Sequence, residues 1–325
     1  AVWDGTIATE FGGSGDGSSA DTAIEISSGE KLAYLAEQVN SGTTYKGKYF
    51  KLTDNIDLGG NHWTPIGKNS ANGTYAFQGI FDGNGKTISN LSITYGQEGG
   101  LFGCIYVGTV KNLCLEKVDI NVISKAAAIC VTNYGGTIEN CGVNSGTIES
   151  QQLANSTASG ICAITSTHDS STGSTIINCY NNAAITGTNA SGIVHDVWDS
   201  ISEISSCLNF GNVTCTSGTA YGISSSSNVN NCYYDSNASG PLQGEGTGMT
   251  TAELCSGTLP TGLGNTIWNA GSSNGAVGRL KTGAQTYPSL KGVGKAVTVG
   301  GGTPTYDFST DKTSNFSNFE NATPI

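Results

Sequence analysis

Ile138-Glu139-Asn140-Cys141 and Ile176-Ile177-Asn178-Cys179 read as one phrase: an aliphatic residue, a spacer, Asn, then Cys. Upstream the phrase returns as Ile88-Ser89-Asn90-Leu91 and Val110-Lys111-Asn112-Leu113. Downstream it becomes Ile204-Ser205-Ser206-Cys207, with Ser for Asn, and Val229-Asn230-Asn231-Cys232. Six copies in one frame, spaced 22 to 38 residues apart, form an internal repeat. A β-branched residue follows six or seven places on, at Ile120, Ile148, Ile185 and Val213. A third apolar position follows a small residue: Gly100-Leu101, Ala128-Ile129, Gly160-Ile161, Gly192-Ile193 and Gly222-Ile223. Each unit thus holds three short strand-like segments with inward aliphatics, separated by Gly, Ser and Asn. That pattern predicts coils of a triangular solenoid, a right-handed parallel β-helix in which each coil pairs with the next.

Stacking places equivalent residues ~4.8 Å apart on successive coils. The recurring Asn then predicts an amide ladder at one corner, or simply a row of turn formers with the same geometry. Cys141, Cys179, Cys207 and Cys232 continue the Leu91 and Leu113 column into the interior, and Cys130 and Cys162 share a second column. In-register Cβ atoms at that spacing lie beyond the ~3.5–4.5 Å that suits a disulfide, so these thiols are expected to stay reduced as small buried hydrophobes. The pattern assigns no state to Cys104, Cys114, Cys215 and Cys255.

An open solenoid end is an unpaired sheet edge. Ser27 with Glu30 reads as a capping box, and Leu32, Leu35, Ala36 and Val39 mark one helical face ending at Gly42. A helix over 29–40 is therefore expected to cover the first coil. Thr250 with Glu253 opens a second, shorter helix. The expected organisation is one β-helix over 1–295, with an irregular C-terminal cap over 236–295. Residues 296–325 would be a tail or linker carrying Tyr306, Phe308, Phe316 and Phe319.

Composition fits this plan. Forty-seven glycines and six prolines among 325 residues suit a chain that turns often, and only 12% of residues are charged. A net charge of −11 argues against nucleic acid and anionic membranes as partners. No apolar run reaches the ~18 residues of a membrane span. Ala1 would suit a mature N-terminus left by signal cleavage.

Several stretches resemble the N-terminal part of GLUG-motif β-helix proteins. They are Leu32-Ala33-Tyr34-Leu35-Ala36, Tyr49-Phe50-Lys51-Leu52-Thr53, Asn55-Ile56-Asp57-Leu58 and Trp63-Thr64-Pro65-Ile66-Gly67. Phe77-Gln78-Gly79-Ile80-Phe81-Asp82-Gly83-Asn84-Gly85 and Gly100-Leu101-Phe102-Gly103 belong to the same set. The likeness spans roughly residues 3–235, is strongest over 29–115, and weakens after 115, where cysteine replaces the usual aliphatics. It implies a secreted or cell-surface bacterial protein, of a kind that accompanies adhesion, carbohydrate-related and protease proteins. No catalytic residue travels with the motif.

Adjacent coils share no acidic position when Asp and Glu are aligned to the repeat, so the paired carboxylates of glycoside hydrolysis are not built by stacking. His195-Asp196-Val197-Trp198-Asp199 is the chemically dense segment. One reading is a glycan site, with Trp198 as stacking platform, the carboxylates Asp196 and Asp199 gripping hydroxyls or a calcium ion, and His195 among the ligand-binding residues. The competing reading is an insertion whose Trp packs on the outside of the coil. His62 and His168 have no evident partners in the sequence, and Asp82-Gly83-Asn84-Gly85 is a turn before it is a calcium loop. No cofactor or metal is expected. The sequence favours an extracellular adhesive or glycan-binding module, or a scaffold within a larger surface protein, whose partner is a host or dietary glycan or a surface protein. The alternative is a carbohydrate-active enzyme, a polysaccharide lyase or glycoside hydrolase.

Overall fold

In a computed structural model the chain is an all-β parallel solenoid of about seven turns. The structure describes residues 1–325 except 14, 71, 152–153, 170, 227, 240–241, 274–275, 278–279, 282–284, 300–304 and 307–325. Most of the expected 296–325 tail, including Phe308, Phe316 and Phe319, lies outside the described residues.

Each central coil has four strand segments. One coil runs through Thr137–Val143, Gly146–Ser150, Thr157–Ser159 and Cys162–Ser166, and its neighbours repeat the order. The four faces this makes carry fourteen, five, five and four strands, all paired in parallel. The aliphatic phrase gives the first face its inner column, with Val110, Ile138, Ile176, Ile204 and Val229 in register. Ile93, Ile120, Ile148, Ile185 and Val213 form the second. The expected triangle misses a face: Ala126, Ala158, Ala190 and Ala220 stack as a third inward column. A run of alanines adds little to a hydrophobic pattern, yet alanine is what fits where two faces meet at close range. Phe102, Cys130, Cys162 and Val194 complete the fourth face.

The repeat asparagines have a backbone role. Asn90, Asn112, Asn140, Asn178, Ser206 and Asn231 all have φ between 51 and 57°. This left-handed conformation is one that Asn tolerates better than most side chains, and it turns the chain so that Ile138 and Cys141 both face inward. The amide ladder exists over a short run. Asn140 Nδ2 donates to Asn112 Oδ1 (3.2 Å), and Asn112 Nδ2 donates to Asp82 Oδ1 (3.0 Å). Asn90 Nδ2 donates to Asp57 Oδ1 (2.7 Å), but at a different corner. Ile88 pairs with Leu115 and Ser89 with Glu116, so the Ile88–Leu91 phrase is out of register with Val110–Leu113. Leu91 therefore does not continue the Leu113 and Cys141 column as expected. Asp82 also accepts from the Asn84 backbone (2.7 Å), so the 82–85 segment is a turn whose carboxylate serves the ladder.

All ten cysteines are free thiols, and all but Cys215 are buried. Cys141, Cys179, Cys207 and Cys232 neighbour one another in that order, and each donates to a main-chain carbonyl, such as Cys179 to Ile177 O at 3.3 Å.

The helix Gly29–Asn40 buries Leu32, Ala33, Leu35, Ala36 and Val39, as its periodicity predicts. Its N-cap is Ser28, not Ser27, and no side chain caps it, so the expected capping box is absent. The Thr250–Glu253 box does form, at the start of a short helix, Thr251–Leu254. Beyond it, Leu254, Leu263, Trp268, Tyr287, Leu290, Val293 and Val297 pack on Cys114, Tyr180, Leu208 and Phe210, which line the outside of the first face. This C-terminal strap comes very close: a Cβ on Gly85 would stand 2.2 Å from Gly292 O, and one on Gly294 2.6 Å from Cys114 Sγ. Among the described residues no helix is long and apolar enough to cross a membrane.

Candidate functional site

The dense segment found in the sequence lies on the fourth face, where Val194–Val197 is the last strand and pairs with Cys162–Ser166. His195 and Asp196 come together where this face meets the third. His195 Nδ1 is 2.9 Å from Ser191 Oγ, and its Nε2 is 3.6 Å from Asp196 Oδ1. Burial lowers the histidine's pKa against the pull of Asp196, which favours neutral imidazole at pH 7. Burial pushes the Asp196 carboxyl up, opposed by His195 and Lys125. Lys125 is bound to Glu98 at 2.8 Å across adjacent coils. Ala127, Val131, Ala163 and Ile164 form a small apolar cluster separate from the main core.

Ser191, His195 and Asp196 have the residue types of an acyl-transfer triad, and the geometry denies them that chemistry. The Ser191 side chain is fully buried, so its hydroxyl cannot meet a substrate carbonyl. Asp199 is committed to its own loop. Its Oδ1 accepts from the Ile201 and Ser202 backbone at 2.8 and 2.5 Å, and its Oδ2 from Ser202 Oγ at 2.7 Å. Among the described residues no three His, Cys, Asp or Glu side chains converge as a metal site would need.

Trp198 is 60% exposed. Its backbone N–H donates to Thr165 O (3.0 Å), so the pairing of Val197 with Thr165 continues one residue further. Trp198 therefore follows Ser166, which is in register with Tyr134 and then Tyr106. The outward column along the solenoid is Tyr106, Tyr134, Ser166, Trp198. The two tyrosine rings lie 6.2 Å apart at 60°, and His168 meets Tyr106 edge-on at 5.2 Å. Tyr134 Oη donates to Asn69 Oδ1 at 3.2 Å. Sequence reasoning overlooked the two tyrosines, although a signal was there: Tyr106, Tyr134, Ser166 and Trp198 each fall five places after the aliphatic of the small-aliphatic pair.

Fold and face together define a parallel β-helix protein with an aromatic row on one outer edge. Comparison with known proteins agrees with that class. A crystal structure of a candidate immunoglobulin A1 protease from Bacteroides ovatus superposes with a TM-score of 0.60, covering 86% of this chain and 95% of that one. At 17% identity the likeness is one of fold. A stretch of 134 residues is 34% identical to Halomucin of Haloquadratum walsbyi, covering 38% of this chain and 1% of the length of Halomucin. No family model matches the chain.

Proposed function

We propose that this chain is a non-catalytic extracellular module that binds glycan chains along the row Tyr106, Tyr134, Ser166 and Trp198. The row itself carries the reading. Coils repeat every ~4.8 Å, so the row sets two tyrosines on adjacent coils and, past Ser166, the Trp198 indole two coils beyond Tyr134 along one outer line. An extended polysaccharide offers C–H faces in just such a series, and an aromatic ring stacks on them while its polar tip meets hydroxyls. Asp196, two residues before Trp198, supplies a hydrogen-bonding group near the end of the row. The likeness of residues 29–115 to GLUG-motif proteins supports a secreted or surface setting, and the short match within a much longer Halomucin supports a role as one module of a larger protein.

Retention of the protein on immobilised polysaccharides tests the proposal. Trp198→Ala should weaken retention about tenfold, the loss of ~1.4 kcal/mol, and leave the melting temperature within a degree or two. A binding defect that merely tracks unfolding, or no defect, refutes it.

One observation favours a second reading. Burial raises the Asp196 carboxyl, and an upward shift is the direction a general acid needs. Release of reducing ends from acidic polysaccharides, lost in Asp196→Asn, would replace the binding module with an enzyme.

A further inference from the structure

Val107 holds a backbone conformation that its side chain opposes. It stands at the turn between the strands Phe102–Tyr106 and Thr109–Glu116, with φ 57°. Among the described residues eleven non-glycine residues have positive φ; seven are Asn, and Val107 is the one that branches at Cβ. Branching makes the left-handed region harder to occupy than it is for an ordinary side chain. Burial does not offset that strain, because the residue is 46% exposed.

The next coil shows that the turn does not call for valine. Tyr134 is in register with Tyr106, so Gly135 is the counterpart of Val107. The two make the same bond: Val107 N donates to Tyr134 O (2.8 Å) and Gly135 N to Ser166 O (2.9 Å). Gly135 reaches φ 61° without steric cost. Glycine or asparagine at 107 would keep this geometry free of strain. Neither would keep an exposed isopropyl group directly after Tyr106, on a backbone tied by its N–H to the carbonyl of Tyr134. Strain of this kind persists in folded chains mainly where function uses it.

We propose that Val107 is a binding residue at the Tyr106 end of the aromatic row, where it gives the row a preference for a sugar unit carrying a methyl group. An isopropyl group neither donates nor accepts a hydrogen bond. A hydroxyl brought against it loses water without a replacement, whereas a methyl group gains by leaving water. Acetylated sugars and 6-deoxy sugars both present such a methyl. The inference rests on the reading of the row as a glycan site.

Retention of the intact chain on matched pairs of immobilised neutral polysaccharide tests this. One pair is galactoglucomannan before and after alkaline deacetylation; the other is xyloglucan before and after enzymatic removal of its fucose. In at least one pair the methyl-bearing member should hold the protein about fourfold more tightly, the worth of one methyl removed from water. Val107→Asn should remove that preference and also raise the urea midpoint, because Asn accepts the left-handed backbone. Val107→Thr keeps the branched Cβ and gives up one methyl, so it should weaken the preference and leave the midpoint where it was. Trp198→Ala should weaken retention on both members of a pair alike and keep their ratio. The inference is overturned if neither pair shows a preference or if Val107→Asn retains it. It is equally overturned if Val107→Asn lowers the midpoint, which would make the valine a structural residue. Should Trp198→Ala weaken retention while Val107→Asn keeps the preference, this inference fails alone; should no polysaccharide retain the unaltered protein, the row fails with it.

Discussion

Replacing Asn112 by Ala and, separately, by Gly should give the opposite ranking from the one strands usually show. Asn112 sits at φ 54°, between inward-facing Val110 and Leu113, and its side chain donates to Asp82 Oδ1. Alanine loses three things. Holding an ordinary L-residue in the left-handed region costs about 1–2 kcal/mol, the hydrogen bond to the Asp82 carboxylate contributes about 1.5 kcal/mol, and the bond accepted from Asn140 Nδ2 about 1 kcal/mol. Asn112→Ala should therefore lower stability by about 4 kcal/mol. Glycine loses both hydrogen bonds but adopts the conformation freely, so after its entropic cost Asn112→Gly should lose about 3 kcal/mol. Equilibrium urea unfolding measures both, provided the m-value stays constant so that midpoints compare directly. Thr147, on an exposed strand position of the second face, serves as the control, and there Gly should be worse than Ala by roughly 0.5–1 kcal/mol. Ser206, held at φ 52° where the repeat elsewhere has Asn, extends the test: Ser206→Asn should stabilise. If Asn112→Ala proves as stable as Asn112→Gly, the corner does not depend on left-handed backbone and the account of the repeat is wrong.

Three other outcomes are expected. Burial pushes the Cys114 thiol up to about 12 and Cys255 to about 11. A thiol reagent at pH 8 should therefore label at most Cys215 in the native protein and all ten thiols after unreduced denaturation, and fewer than ten would reveal a disulfide. Ile148→Ala, fully buried between Ile120 and Ile185, should cost about 2–5 kcal/mol in chemical denaturation; a change below that range would mean the column is loosely packed. Hydrogen bonds from Ser171 lower Asp169 from 3.8 to about 2. A depressed carboxylate stabilises the fold above its unfolded pKa, and that contribution fades as pH falls through the folded value. Melting temperature should thus decline between about pH 4 and pH 2, less steeply in Asp169→Asn, and identical profiles for the two proteins would discount this loop.

Much of the fold was readable because the solenoid repeats its inward residues at steady offsets. Isoleucine, valine and cysteine at those offsets stand out against Ser, Thr and Gly. The Ala126, Ala158 and Ala190 column did not stand out, since alanine marks close approach and not a hydrophobic stripe. The cap helix was found at its true bounds from Leu32, Leu35, Ala36 and Val39, while its cap residue was misplaced by one because Ser27 and Ser28 are equivalent as letters. Seating of Trp268 and Tyr287 on the first face has no period to betray it; it depends on surface complementarity that only coordinates express. At the candidate site, His195, Asp196 and Trp198 were noticed because they cluster in sequence. Tyr106 and Tyr134 were missed because they join Trp198 only through coil register.

The C-terminal strap changes what kind of ancestry this solenoid can have. A stack of coils that touch only their neighbours can lengthen or shorten by duplicating or deleting one coil, with the rest sliding to fit. Here Leu254, Leu263, Trp268, Tyr287, Leu290, Val293 and Val297 are seated on Cys114, Tyr180 and Phe210 at once, residues contributed by different coils. Deleting one coil between them would shift part of its footing by ~4.8 Å and leave Trp268 or Val293 facing the wrong residues. The strap therefore acts as a ruler: it fixes the number of coils beneath it, and confines gain or loss of repeats to stretches it does not cross.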